Sequence, residues 1–259
     1  ETYQKDPVER RGVDGNLWIW EGVDYGKSYM VVADVARGDS TDYSACHVFD
    51  IETCTQVAEY KGKLSPKDFG NFLCGLASEY NEALLVCENA NIGWATIEQL
   101  LEREYRNIYY SSTSNMESVE TYMHKYERDK LVPGFTMSMR TRPLVIAKMI
   151  EYIREKSVTI QSKRLMQEMR VFVWKNGKPQ AQDRYNDDLI ISCATALYVR
   201  DTALKLRQQG MDLARAQLSS FSNLNAQNKA VMKNVAYQRE NPYLTKTAYG
   251  EEDIRWLLK

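Results

Sequence analysis

Apolar and polar positions divide this chain into short strands, then one helix, then strands and helices in alternation. Leu17 to Trp20, Tyr29 to Ala33, Ser44 to Phe49 and Thr55 to Lys61 read as strands separated by turn-forming breaks, and the last three predict a meander. Ser65-Pro66-Lys67-Asp68 then predicts a helix start, with Ser at the N-cap, Pro behind it and an acid in the first turn. Phe69, Phe72, Leu73 and Leu76 line one face of that helix, which should end near Tyr80. Ala83 to Cys87 is apolar without alternation, the pattern of a strand covered on both faces and therefore parallel to its neighbour. Asn91 can cap a helix through Arg106, Ile108 to Ser111 predicts a strand, and a loosely patterned stretch leads to Pro133-Gly134. Pro143 starts a helix to about Glu155, Val158 to Ile160 reads as a short strand, and Ser162 to Met169 as a helix. Asn176-Gly177 between two strand-like runs predicts a hairpin. Asn186 can cap a helix from Asp187 to about Leu204, with Leu189, Ile190, Cys193, Leu197 and Tyr198 on its apolar side.

Three of these elements carry an acid at an end that should be buried or nearly so. Asp34 closes the run from Tyr29, Glu88 closes the run from Ala83, and Asp187 and Asp188 open the last helix. An unpaired carboxylate in apolar surroundings is costly, so something must offset it. Singly, each has an ordinary reading: a turn acid, a capping acid, and favourable charges at a helix N-terminus. Together their order decides. A three-strand antiparallel meander, helix, parallel strand, helix, strand and late helix is the order of an α/β fold of RNase H-like type, a mixed sheet flanked by helices. That fold places acids on its first strand, at the end of its fourth and on its late helix, which is where Asp34, Glu88 and Asp188 fall. Two hard cations about 4 Å apart need such shared oxygen ligands, and together they promote in-line phosphodiester hydrolysis. Two such cations are the expected cofactor. Asp42 reads equally as a further ligand or a turn acid.

Composition narrows the setting. No stretch of about 20 apolar residues is present to span a bilayer, and the first residues lack the apolar centre of a signal peptide. Five scattered cysteines without a CxxC pair argue for a reducing compartment and against a zinc cluster. Net charge is −1, yet between Thr121 and Gln180 thirteen Lys and Arg face five acids. Such a block suits sequence-indifferent contact with phosphates, and Lys125, Arg128, Lys130, Arg140, Arg142, Lys148, Lys175 and Lys178 are its candidate DNA-binding residues. His47 is expected to point off an exposed strand face and His124 to lie on the surface. Trp18, Trp20, Trp94 and Trp174 read as packing residues. Beyond about Gln208 the chain turns polar until Ile254 to Leu258. Three regions are expected: a lead-in over 1–28, the nuclease-like domain over 29–208, and a tail over 209–259 that can dock a partner.

The segments ADVARGDSTDYSACHVFDI, LLVCENANIGWATIEQLL and YNDDLIISCATALYV resemble the nuclease domain of the large terminase subunit of tailed bacteriophages, the T4-like group in particular. The resemblance runs from about Tyr29 to Val199, and the paired Asp before an apolar helix is its most specific element. It implies a metal-dependent endonuclease that cuts double-stranded viral DNA during packaging, with Asp34, Glu88 and Asp188 as catalytic acids binding two Mg²⁺ or Mn²⁺ ions and Asp187 as an auxiliary acid. It also implies the portal or prohead, the small terminase subunit and an ATPase domain as partners, in the cytoplasm of an infected bacterium. Gly22 to Ser28 has three residues between its glycines where a phosphate-binding loop needs four, so the ATPase domain is not in this chain. A resolvase or transposase-type nuclease would use the same acids, and a domain acting mainly in portal docking is a further reading. A sugar-kinase-like ATPase would need more glycine after Asp34 than Gly38 alone.

Overall fold

In the computed structural model of the chain, residues 4–12, 14–38, 43–90, 92–112, 131–175, 177–201, 203–204, 244–247 and 250–253 are described. A compact unit covers residues 1–206, and a second covers 207–259. The first unit is built on a six-stranded sheet in the order β1 (Glu9–Arg11), β2 (Leu17–Ile19), β5 (Thr55–Gly62), β4 (Ser44–Asp50), β3 (Tyr29–Asp34), β6 (Leu84–Cys87). All neighbours are antiparallel except β3 and β6, which run parallel. Two strands of the sheet thus come from the lead-in before residue 29. Ile108 makes a parallel bridge to Leu85 and continues the sheet beyond β6.

The period-2 alternation of a strand sends successive side chains to opposite faces, and helices cover both. Val31 and Ala33 of β3 and Leu85 and Cys87 of β6 pack with Phe69, Leu73 and Leu76 of α1 (Pro66–Glu79) and Ile97 and Leu100 of α2 (Gly93–Glu102). Met30, Val32, Leu84 and Val86 face the other way. They pack with Val145, Ile146 and Met149 of α3 (Thr141–Arg154), Leu165 of α4 (Lys163–Arg170), and Leu189, Ile190, Cys193 and Leu197 of α5, helical over 188–201. Each fully buried side chain of this kind contributes about 1.5–3 kcal/mol. The α1 start follows its sequence: Ser65 Oγ accepts from the Asp68 amide at 3.2 Å, with Pro66 first in the helix. The hairpin of β9 (Phe172–Lys175) and β10 (Lys178–Ala181) turns where Asn-Gly placed it, with Lys175 opposite Lys178.

Several expectations are corrected. His47 is fully buried, because β4 lies inside the sheet with helices on both faces and so has no exposed side. Trp20 is buried as a packing residue should be, but Trp94 and Trp174 are exposed. Residues 158–160 form a single bridge, Thr159 to Thr55, rather than a strand. The helix expected to reach Arg106 stops at Glu102, because Glu104 takes a left-handed backbone, φ 55°, and the Tyr105 amide turns back to the Leu100 carbonyl at 3.1 Å. Asn91 and His124 lie outside the described residues. In the second unit β11 (Leu244–Thr247) pairs with β12 (Gly250–Asp253), and the apolar cluster after it lies outside the described residues.

The Pro133-Gly134 loop makes closer contact with the sheet than its sequence suggested. A short ribbon of β7 (Tyr110–Ser112) and β8 (Leu131–Pro133) brings Gly134 and Phe135 beside the end of β6. The Phe135 amide donates to the Cys87 carbonyl at 2.8 Å, and the Asn89 amide to the Phe135 carbonyl at 3.0 Å, which clamps the backbone on both sides of Glu88. Gly134 has φ +88°, and a Cβ there would stand 2.6 Å from the Cys87 oxygen and 2.5 Å from Ile97 Cδ1. Gly134→Ala should therefore lower the unfolding free energy by about 2 kcal/mol, measured by urea denaturation. An unchanged urea midpoint would contradict this contact.

Candidate functional site

Parallel register brings the first two acids together. Ala33 pairs with Cys87, and the Glu88 amide donates to the Ala33 carbonyl at 3.1 Å, so Asp34 and Glu88 are adjacent on neighbouring strands. By parity with Met30, Val32, Leu84 and Val86, both point to the face covered by α5. Burial above all holds the Asp34 carboxyl well above the usual carboxylate range, and the neighbouring charges of Glu88, Asp188 and Asp187 add to the shift.

The third acid arrives on α5. The Ile191 amide donates to the Asp187 carbonyl at 2.9 Å, closing the first turn, so Asp188 stands at the helix start. Its Oδ2 accepts from the Tyr43 amide at 3.1 Å and from Asn186 Nδ2 at 3.3 Å. Asp187 forms an ion pair with Arg142, whose Nε also donates to the Pro179 carbonyl on β10 at 3.1 Å. Asp42 lies outside the described residues. Among the described residues no three acid, His or Cys side chains are already closed around one point as a ligand set. Like-charged carboxylates on adjacent strand ends repel or share a proton until a cation offsets them. A half-buried carboxyl beside other acids and offering only hard oxygen donors fits a divalent ion of the Mg²⁺ or Mn²⁺ type.

No protein-family model matches the chain. Solved structures do. The large terminase nuclease from thermophilic phage G20c, with bound magnesium, superposes with a TM-score of 0.58 at 19% identity, over 76% of this chain and 93% of that one. The large terminase nuclease domain of Thermus phage P74-26 superposes with a TM-score of 0.55 at 20% identity, over 75% and 90%. The chain has the large-terminase nuclease fold. It is an RNase H-like fold, as the order of elements predicted, and these neighbours come from thermophilic phages; placement in the T4-like group is an expectation from sequence alone.

Behind the acids, this terminase-type fold holds a buried polar layer that sequence reasoning missed. Glu168 on α4 sends one carboxylate oxygen under α5, accepting from the amides of Leu189 at 3.0 Å and Ile190 at 3.3 Å, while its other oxygen pairs with Lys61 of β5. Burial pushes the Glu168 carboxyl up to about 7, against the opposing pull of Lys61. The Lys61 ammonium also lies 4.9 Å from the centre of the Tyr43 ring. His47 Nε2 is 2.9 Å from the Leu189 carbonyl, its Nδ1 is 2.8 Å from Gln56 Nε2, and burial pulls its pKa down, so the ring is neutral. Gln56 and Arg164 in turn hold Glu59, at 3.2 and 2.8 Å. The signal for Glu168 was spacing: it lies three residues after buried Leu165, on the inward side of a helix.

The basic block is divided by its partners. Arg142 serves Asp187, Lys148 pairs with Glu151 and Asp201, and Lys175 pairs with Asp183. Arg140 and Lys178 are exposed, whereas Lys125, Arg128 and Lys130 lie outside the described residues.

Proposed function

We propose that this chain is the nuclease part of a large terminase, a divalent-metal-dependent endonuclease that cuts double-stranded DNA during genome packaging by two-metal phosphodiester hydrolysis. The observation that carries this is the placement of Asp34: it ends β3 beside Glu88 at the end of β6, on the sheet face that α5 covers and where α5 starts with Asp188. The magnesium in the G20c terminase nuclease, on the same fold, supports a metal role for these acids. Asp34, Glu88 and Asp188 would hold the ions, with Asp42 a further candidate. Such ions, when bound, supply a nucleophile at neutral pH and Lewis-acid stabilisation of charge on the phosphate oxygens.

The chain's own residues do the placing. Asp34 and Glu88 are fixed relative to each other by the β3–β6 ladder, so their oxygens are presented without rearranging the backbone. Arg142 neutralises Asp187 and leaves the excess negative charge on the other three acids. Arg140, Lys178 and the basic residues of 125–130 would contact phosphates, with the small subunit, portal or prohead and an ATPase domain as partners in the cytoplasm of the infected host. Among the described residues no helix is long and apolar enough to cross a membrane.

The test is plasmid cleavage with Mn²⁺ and with a chelator. Cleavage at unrelated sequences, abolished by the chelator and weakened steeply by salt, is expected. Cleavage that survives chelation, or a strong preference for four-way junctions, would overturn the terminase reading.

A further inference from the structure

The amides opening α5 would ordinarily be satisfied by side chains just before the helix. Here the Asp187 carboxylate is taken by Arg142 and the Asn186 side-chain amide donates to Asp188. Glu168, from a different helix and almost fully buried, takes the amides of Leu189 and Ile190 instead. The Leu189 carbonyl is held in turn by His47 of β4. Both backbone polar groups of the residue after Asp188 are thus gripped by side chains from other elements. Lys61 completes the frame, since it pairs with Glu168 and lies over the ring of Tyr43, whose amide donates to the Asp188 carboxylate.

A buried ion pair is a weak source of stability, because desolvation consumes most of its attraction, and an apolar pair of similar shape often serves as well. What Glu168 and Lys61 supply is direction: charge-assisted contacts to two successive backbone amides, and a link to the amide that orients the carboxylate. We propose that Glu168 and Lys61 are the positioning pair for Asp188, setting the affinity of its side of the site for a divalent cation. This rests on the metal reading of Asp34, Glu88 and Asp188. The pair touches neither substrate nor ion and acts through α5, as residues behind metal ligands do.

Mn²⁺ binding to the full chain, measured by calorimetry, and the Mn²⁺ dependence of plasmid cleavage test this in Glu168→Gln, Lys61→Met and Asp188→Asn. Glu168→Gln should weaken Mn²⁺ binding by about 10- to 100-fold, with most of the cleavage recovered at saturating Mn²⁺. Lys61→Met, on a partly exposed side chain, should shift binding the same way by a smaller factor, and it decides the matter if Glu168→Gln does not fold. A merely structural pair would lower the melting temperature and leave the Mn²⁺ affinity of the folded protein unchanged; that result overturns the inference. Weakened binding in Asp188→Asn with native binding in both pair variants overturns the pair alone. Equal binding by the native chain and Asp188→Asn, or none by either, overturns the metal reading and the pair together.

Discussion

Asp34→Asn should fold normally and cut plasmid DNA at least about 10³-fold more slowly in Mn²⁺, a loss near 4 kcal/mol of transition-state stabilisation. The amide is nearly isosteric and fits the same strand end, so β3 keeps its ladder with β4 and β6. What disappears is the charge that, on the proposed reading, would couple the two strands to a cation. Cleavage within about tenfold of the native rate would remove Asp34 from the site, and with it the observation on which the function rests.

The same substitution should act in the opposite direction on stability when no metal is present. The folded Asp34 carboxyl is held above the ordinary aspartate value of 3.8 by desolvation and by the neighbouring charges of Glu88, Asp188 and Asp187. The folded chain therefore holds this proton more tightly than the unfolded chain. Below 3.8 both states are protonated and no penalty exists; as pH rises through the folded value, this group progressively destabilises the fold. In chelator at neutral pH, Asp34→Asn should melt higher than the native chain, by about 2–4 °C for each kcal/mol relieved, and the difference should close as pH falls toward 4. Adding Mn²⁺ should reverse the ranking: at a hundred times its Kd it stabilises the native chain by about 2.7 kcal/mol and the variant far less. Calorimetric melting across pH, with and without Mn²⁺, checks both halves. A native chain that melts above Asp34→Asn in chelator at pH 7 would show that the acid cluster is not under charge stress.

Features governed by local rules were legible in the sequence. The cap at Ser65, the hairpin at Asn176-Gly177 and the uninterrupted apolar run into Glu88 depend on residues within a few positions of one another, where propensity and pattern act directly. The pairing of Asp34 with Glu88 was also within reach, because both end strands and the expected order of elements makes those strands neighbours. Glu168 and His47 depended on what arrives from elsewhere. One is a charged residue in a short polar helix and the other a lone His on a strand; each acquires its role only when α5 packs across the sheet and brings backbone groups that need partners. Gly134 is similar in part: its φ of +88° favours glycine locally, but the β6 carbonyl that leaves no room for a Cβ arrives from elsewhere. Counting charge along the basic block does not show which cations the fold pairs with acids, as it does Arg142, Lys148 and Lys175.

The acid cluster is assembled from the third strand, the sixth strand and the last helix of the first unit. No fragment ending before α5 can contain it, and contacts of such long sequence separation are among the slower ones to form. A chain emerging from the ribosome would therefore carry no complete cutting site until the unit is almost wholly synthesised and the final helix has docked. On the proposed nuclease reading, competence to hydrolyse DNA would be tied to completion of folding, and a misfolded or truncated copy would be inert rather than promiscuous.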